Sequence, residues 1–224
     1  MTPQRLRRRG DSAGGTPKSL ERIKLVDGRI DLNKAGLRSL AGLGPQPRVD
    51  FLYLRDNYLK SWEGAGQMPS LKILDLGNNQ MSSLSFLVDL PNLRQLYVNS
   101  NSLCSLADMP CITTLEYFSV SQNNIEAFEG MPAMPELKVF CATGNVIQSF
   151  LGYPFFPKVE ALRLAHNPFC ANPHFRALVL LLSGSFLRKI DGSVVADEDR
   201  RAAAALPVKL ATALRMGFEF AGPS

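Results

Sequence analysis

Asparagine stands at Asn57, Asn79, Asn101, Asn123, Asn145 and Asn167, six times at a step of 22 residues without a slip. Eight residues before each sits an apolar side chain: Val49, Leu71, Leu93, Leu115, Leu137 and Val159. Five before come Leu52, Leu74, Leu96, Phe118, Phe140 and Leu162, and three before come Leu54, Leu76, Val98, Val120, Ala142 and Leu164. Two after come Leu59, Met81, Leu103, Ile125, Ile147 and Phe169. A unit repeated with no insertion or deletion must set equivalent residues in equivalent places, coil upon coil.

Two apolar residues separated by one point to the same face of a short strand. One such strand cannot bury that face, so neighbouring coils must stack into a parallel sheet over a continuous core. The asparagine turns the chain out of the strand, and its amide both donates and accepts, so a column of them satisfies backbone groups of adjacent turns. That role explains each asparagine without an active site. Residues 23–43 read as a degenerate first coil, with Ile30, Leu32 and Leu37 in register and Ala35 in the asparagine position. Pro47, Pro69, Pro91, Pro135 and Pro157 precede the strands and stop any helix from running into them. Trp62, Leu84, Leu106, Phe128 and Phe150, five after the asparagines, belong to the convex side of the core. The pattern L-x-x-L-x-L-x-x-N-x-L is that of a leucine-rich repeat. The expected fold is therefore an α/β leucine-rich repeat solenoid with a concave parallel sheet, about seven coils and a helical C-terminal cap.

The coils occupy residues 23–169. Residues 170–220 form the expected cap: a helix over 174–182, an edge strand and turn over 186–192, and helices over 195–205 and 208–216, together covering the sheet edge. Residues 1–22 lack apolar periodicity and read as a disordered basic tail. The net charge of +5 lies in the first 24 residues, which hold seven basic and two acidic side chains; the remainder is balanced at 18 each. Arg5, Arg7, Arg8 and Arg9 would give the tail electrostatic attraction to an acidic surface such as tubulin or nucleic acid, or serve only to keep it soluble. Ser12 and Thr16 are candidate phosphorylation sites that would offset this charge. Cys104, Cys111, Cys141 and Cys170 form no C-x-x-C pair and read as free thiols of an intracellular protein. No apolar run approaches the ~20 residues of a membrane span, and no secretory leader is visible.

The fixed period also identifies the open face. Phe51, Tyr53, Ile73, Tyr97 and Tyr117 fall on neighbouring strands and point to the concave side, with Arg55, Asp75 and Arg163 beside them. Large aromatics grouped on an open face point to a protein partner, with the charged residues setting register. Packing of these rings on one another is the competing reading.

Catalytic chemistry is absent from the pattern. There is no phosphate-binding glycine loop and no nucleophile elbow. Asp31 and Asp75 read as ordinary surface carboxylates. His166, Cys170 and His174 are spaced four apart, but Pro168 and Pro173 break the helix that would align them for a metal. No enzyme activity, cofactor, metal, small-molecule substrate or membrane partner is expected, and nucleic acid only through the tail.

The 22-residue coils resemble the class of repeat found in the protein phosphatase-1 regulatory subunit, a spliceosomal leucine-rich protein, dynein light chain 1 of cilia and the tubulin-folding cofactors. Asn167-Pro168-Phe169, His174-Phe175-Arg176 and Leu187-Arg188-Lys189-Ile190-Asp191-Gly192 resemble the cap of that class. The continuation Ala196-Asp197-Glu198-Asp199, Ala205-Leu206-Pro207 and Leu214-Arg215-Met216-Gly217-Phe218-Glu219-Phe220 resembles the end of the repeat region in the plant and protozoan microtubule-associated protein first described as auxin-induced in root cultures. The resemblance implies a cytoplasmic protein-binding adaptor of the microtubule or ciliary cytoskeleton, with tubulin or a microtubule-associated complex as partner. A phosphatase regulatory subunit and an assembly factor of an RNA-protein complex are its alternatives.

Overall fold

The computed structural model describes residues 25–220. The predicted tail, with Arg5, Arg7, Arg8 and Arg9, lies outside the described residues. Seven three-residue strands follow at 22-residue steps: β1 Arg29–Asp31, β2 Phe51–Tyr53, β3 Ile73–Asp75, β4 Gln95–Tyr97, β5 Tyr117–Ser119, β6 Val139–Cys141 and β7 Ala161–Arg163. They pair in parallel and in sequence order, each residue opposite its counterpart one period on. The central residue of every strand, from Ile30 to Leu162, is fully buried, so one face of the sheet is core.

Each asparagine joins two coils. Asn57 accepts the Leu37 N–H at 2.9 Å and donates to the carbonyls of Leu54, in its own coil, and Leu32, one coil back, at 2.8 and 2.9 Å. Asn123 does the same with Leu103, Val120 and Val98. The residue before each asparagine takes a left-handed backbone: Lys34 in the first coil, then Asp56, Asn78, Ser100, Gln122, Gly144 and His166. The prolines have a sharper role than helix termination. Pro47, Pro69, Pro91, Pro135 and Pro157 each occupy the second position of a turn closed by a bond such as Leu71 N to Met68 O, 3.1 Å, where a fixed φ is favourable.

The cap differs in detail from its expected form. A 3-10 turn at Pro168–Ala171, opened by Pro168, precedes α1, Phe175–Ser183. The sheet continues through β8, Lys189–Ile190, parallel to β7, and ends in β9, Ser193–Val194, antiparallel to β8. Helices α2, Asp197–Ala204, and α3, Val208–Arg215, follow. The edge strand expected within 186–192 is present as β8, and β9 adds one further short strand outside it. Helix α1 closes the hydrophobic core, burying Phe175, Leu178, Val179 and Leu182. Asp191 completes the closure, its carboxylate accepting the Leu164 and Ala165 N–H groups at 2.6 and 2.9 Å.

Candidate functional site

With Leu52, Leu74, Leu96 and Phe118 directed into the core, their strand neighbours are directed out of it. Phe51, Tyr53, Ile73, Asp75, Tyr97 and Tyr117 all stand on the outer face of β2–β5 and are half-buried, while Arg55 and Arg163 are exposed. Part of the burial comes from ring on ring. Tyr97 and Tyr117 lie with centroids 4.8 Å apart, and the Tyr97 hydroxyl donates to Gln95 Oε1 at 3.0 Å. The Arg29 guanidinium covers the rings of Phe51 and Tyr53 at 5.8 and 5.3 Å, a contact the sequence did not single out. The rings thus form a braced row along the sheet. Arg163 stands apart from it, two strands beyond Tyr117.

Two features of this face differ from the sequence reading. Ser119, Cys141 and Gly77 hold outer positions but are buried. Tyr117 leans across the next strand, its hydroxyl 3.6 Å from Cys141 Sγ, and burial pushes the Cys141 thiol up. Asp75 is not an ordinary surface carboxylate either. Loss of solvent raises its pKa, against the lowering effect of the Gly77 N–H, which it accepts at 2.8 Å, and of the nearby Arg55 charge. Burial likewise raises the pKa of Tyr97, with the Asp75 charge adding to it.

One rim carries paired charge. Glu116 is held by Lys138 at 2.7 Å and Arg94 at 2.9 Å, which lowers its pKa, and Lys72 meets Asp50 at 3.1 Å.

The three candidate metal ligands are otherwise engaged. His166 fills a left-handed turn position, Cys170 lies 3.1 Å from the Leu164 carbonyl, and His174 meets the Phe220 ring edge-on at 5.5 Å. Burial pushes the Cys170 thiol up to about 11, away from the thiolate a metal or a nucleophile requires. Among the described residues no three metal-ligand side chains converge, and no helix is long and apolar enough to cross a membrane. Trp62 lies in the convex core, its ring stacked on Phe86 at 4.9 Å, and all four cysteines are free thiols.

The family model for leucine-rich repeats (2 copies) matches residues 47–88 and 69–110. No curated protein matches the sequence. Among solved structures the chain is similar to an internalin C2 from Listeria monocytogenes, at 19% identity and a TM-score of 0.50, over 73% of this chain and 80% of that one. The likeness is one of fold, and with the strand register it makes this molecule a leucine-rich repeat solenoid.

Proposed function

We propose that this chain is a non-enzymatic adaptor that grips a protein partner on the concave face of its repeats, as part of the microtubule or ciliary cytoskeleton. One observation carries the binding role. Phe51, Tyr53, Ile73, Tyr97 and Tyr117 stand together on the open side of the sheet, outside a core that is already complete without them. Leucine-rich repeat surfaces of this shape serve protein recognition, and tyrosine gives large contact area at low entropic cost. The cytoskeletal setting is supported by the cap sequence from Ala196 to Phe220 and by its resemblance to a microtubule-associated protein. Arg5, Arg7, Arg8 and Arg9 would add attraction to an acidic lattice.

Co-sedimentation with polymerised tubulin at low salt tests the setting. The expected result is pelleting of the full-length chain, reduced in Tyr97→Ala; a chain that stays in the supernatant has no direct microtubule contact.

A further inference from the structure

We propose that the column Tyr53, Asp75, Tyr97 is a receptor for a single arginine side chain on the protein partner. This inference rests on the concave-face reading above and names the chemistry the face selects.

Asp75 pairs in register with Tyr53 on one side and Tyr97 on the other, so all three side chains rise from adjacent strands on the same face. Three other carboxylates of the repeats have cations of their own. Asp50 has Lys72, Glu116 has Arg94 and Lys138, and Asp56 has Lys34 and Arg55 at 4.0 and 3.9 Å. Asp75 takes part in none of the ion pairs among the described residues. Arg55, the cation whose charge reaches it, is turned toward Asp56. Asp75 has thus lost part of its hydration to its neighbours and gained one backbone hydrogen bond in return. An incoming cation would supply the missing partner.

The flanking rings make the site selective for a planar cation. A guanidinium places forked N–H donors on a carboxylate while its faces lie against aromatic rings; an ammonium offers neither the fork nor the flat face. Two strand spacings of about 4.8 Å set Tyr53 and Tyr97 about 10 Å apart at the backbone, with Asp75 on the strand between them. This same row of rings already accepts a guanidinium, that of Arg29 over Phe51 and Tyr53. Tyr97 is fixed in advance by the Tyr117 ring and by Gln95, so little side-chain freedom is lost on binding. Glycine at position 77 leaves the Asp75 carboxylate in place: a Cβ there would stand 3.0 Å from its oxygen and 3.1 Å from Asn99 Oδ1.

Selection of a random linear-peptide phage library on the full-length chain tests the inference, with affinities of the synthesised peptides measured against variants. Selected peptides are expected to share one arginine. Their affinity should fall about tenfold or more in Asp75→Asn, as loss of a charge-pair partner implies. It should fall when that arginine becomes lysine, and stay within about twofold in Asp31→Asn, the exposed carboxylate of the same column. Matching melting curves for wild type and Asp75→Asn make the loss one of recognition and not of folding. Binders that weaken in Tyr97→Ala but carry no shared basic residue overturn the arginine receptor and leave the concave-face reading standing. A selection with no binders on either the wild type or a chain with Arg5, Arg7, Arg8 and Arg9 changed to glutamine, or with binders indifferent to both Tyr97→Ala and Asp75→Asn, overturns both. Binders obtained only after Arg5, Arg7, Arg8 and Arg9 are changed to glutamine overturn the partner assignment, because the chain's own arginines then fill the site.

Discussion

Asn123 shows how much one side chain carries in a repeat. It is buried, accepts the Leu103 N–H at 3.0 Å, and donates to the Val98 and Val120 carbonyls at 3.0 and 2.9 Å, bridging two coils. Asn123→Ala leaves the Leu103 N–H without its acceptor, while the Val98 and Val120 carbonyls keep the amides of Asn101 and Asn145 at 3.0 and 3.1 Å, so a loss of about 1–3 kcal/mol is expected in urea denaturation. Asn99→Ala, at a half-buried outer position, should change stability by no more than about 0.5 kcal/mol. The asparagine column was legible because one residue type repeats. The left-handed column beside it was not, because Lys34, Asp56, Asn78, Ser100, Gln122, Gly144 and His166 share a backbone shape and no side-chain type. That is why His166 could be weighed as a metal ligand when its register makes it a turn residue. The half-buried state of Asp75 was illegible for another reason: it depends on how far the two adjacent strands' rings lean, which spacing alone does not fix.

Among the elements, the cap was read least accurately. Its helices sit within about two residues of their expected limits, the usual uncertainty of helix ends. Strand β9 was missed because Ser193-Val194 is too short to show an alternation. Helix α2 is fastened to α1 by Asp199, whose carboxylate receives Arg176 Nε and Nη2 at 2.9 and 2.6 Å and the Ala196 N–H at 2.9 Å. The Arg176 contact is the main reason the Asp199 pKa falls to about 2. An unfolded aspartate titrates near ~3.9. A group with a depressed folded pKa stabilises the fold above its unfolded value and ceases to do so as pH falls through the folded one. The fastening is therefore complete above about pH 4 and lost on descent toward about pH 2. Melting temperatures of wild type and Asp199→Asn should differ at pH 6 and converge through this window. A gap that persists unchanged at pH 2 would mean that the carboxylate charge contributes nothing to the cap.

In the whole molecule each coil is held by its neighbours, so the two ends must differ from the middle and, here, from each other. The C-terminal end is sealed. Phe118, Phe128, Phe140, Phe150, Tyr153, Phe156, Phe169 and Phe175 form a continuous chain of ring contacts through the last coils into α1. Arg215 of α3 ties back to the Tyr153 and Leu182 carbonyls at 3.1 Å, and the Tyr153 hydroxyl meets Ser183 at 2.7 Å within the core. At the other end β1 is the edge strand among the described residues, bridged by Val26 to its own Arg29, and the preceding Leu25 and Val26 are 42% and 58% exposed. Aromatic burial and a helical seal favour one end, and among the described residues no helix covers the other. Local opening should therefore start at β1 and spread along the stack, since opening free energies rise toward the best-packed units. Native-state hydrogen exchange read by mass spectrometry should show amides of β1 and β2 exchanging faster than those of β5 to β7. The difference should widen in low urea before global unfolding begins. Equal protection from β1 to β7 would instead show that all the coils open as one cooperative unit, and that the seal built at one end protects the whole stack equally.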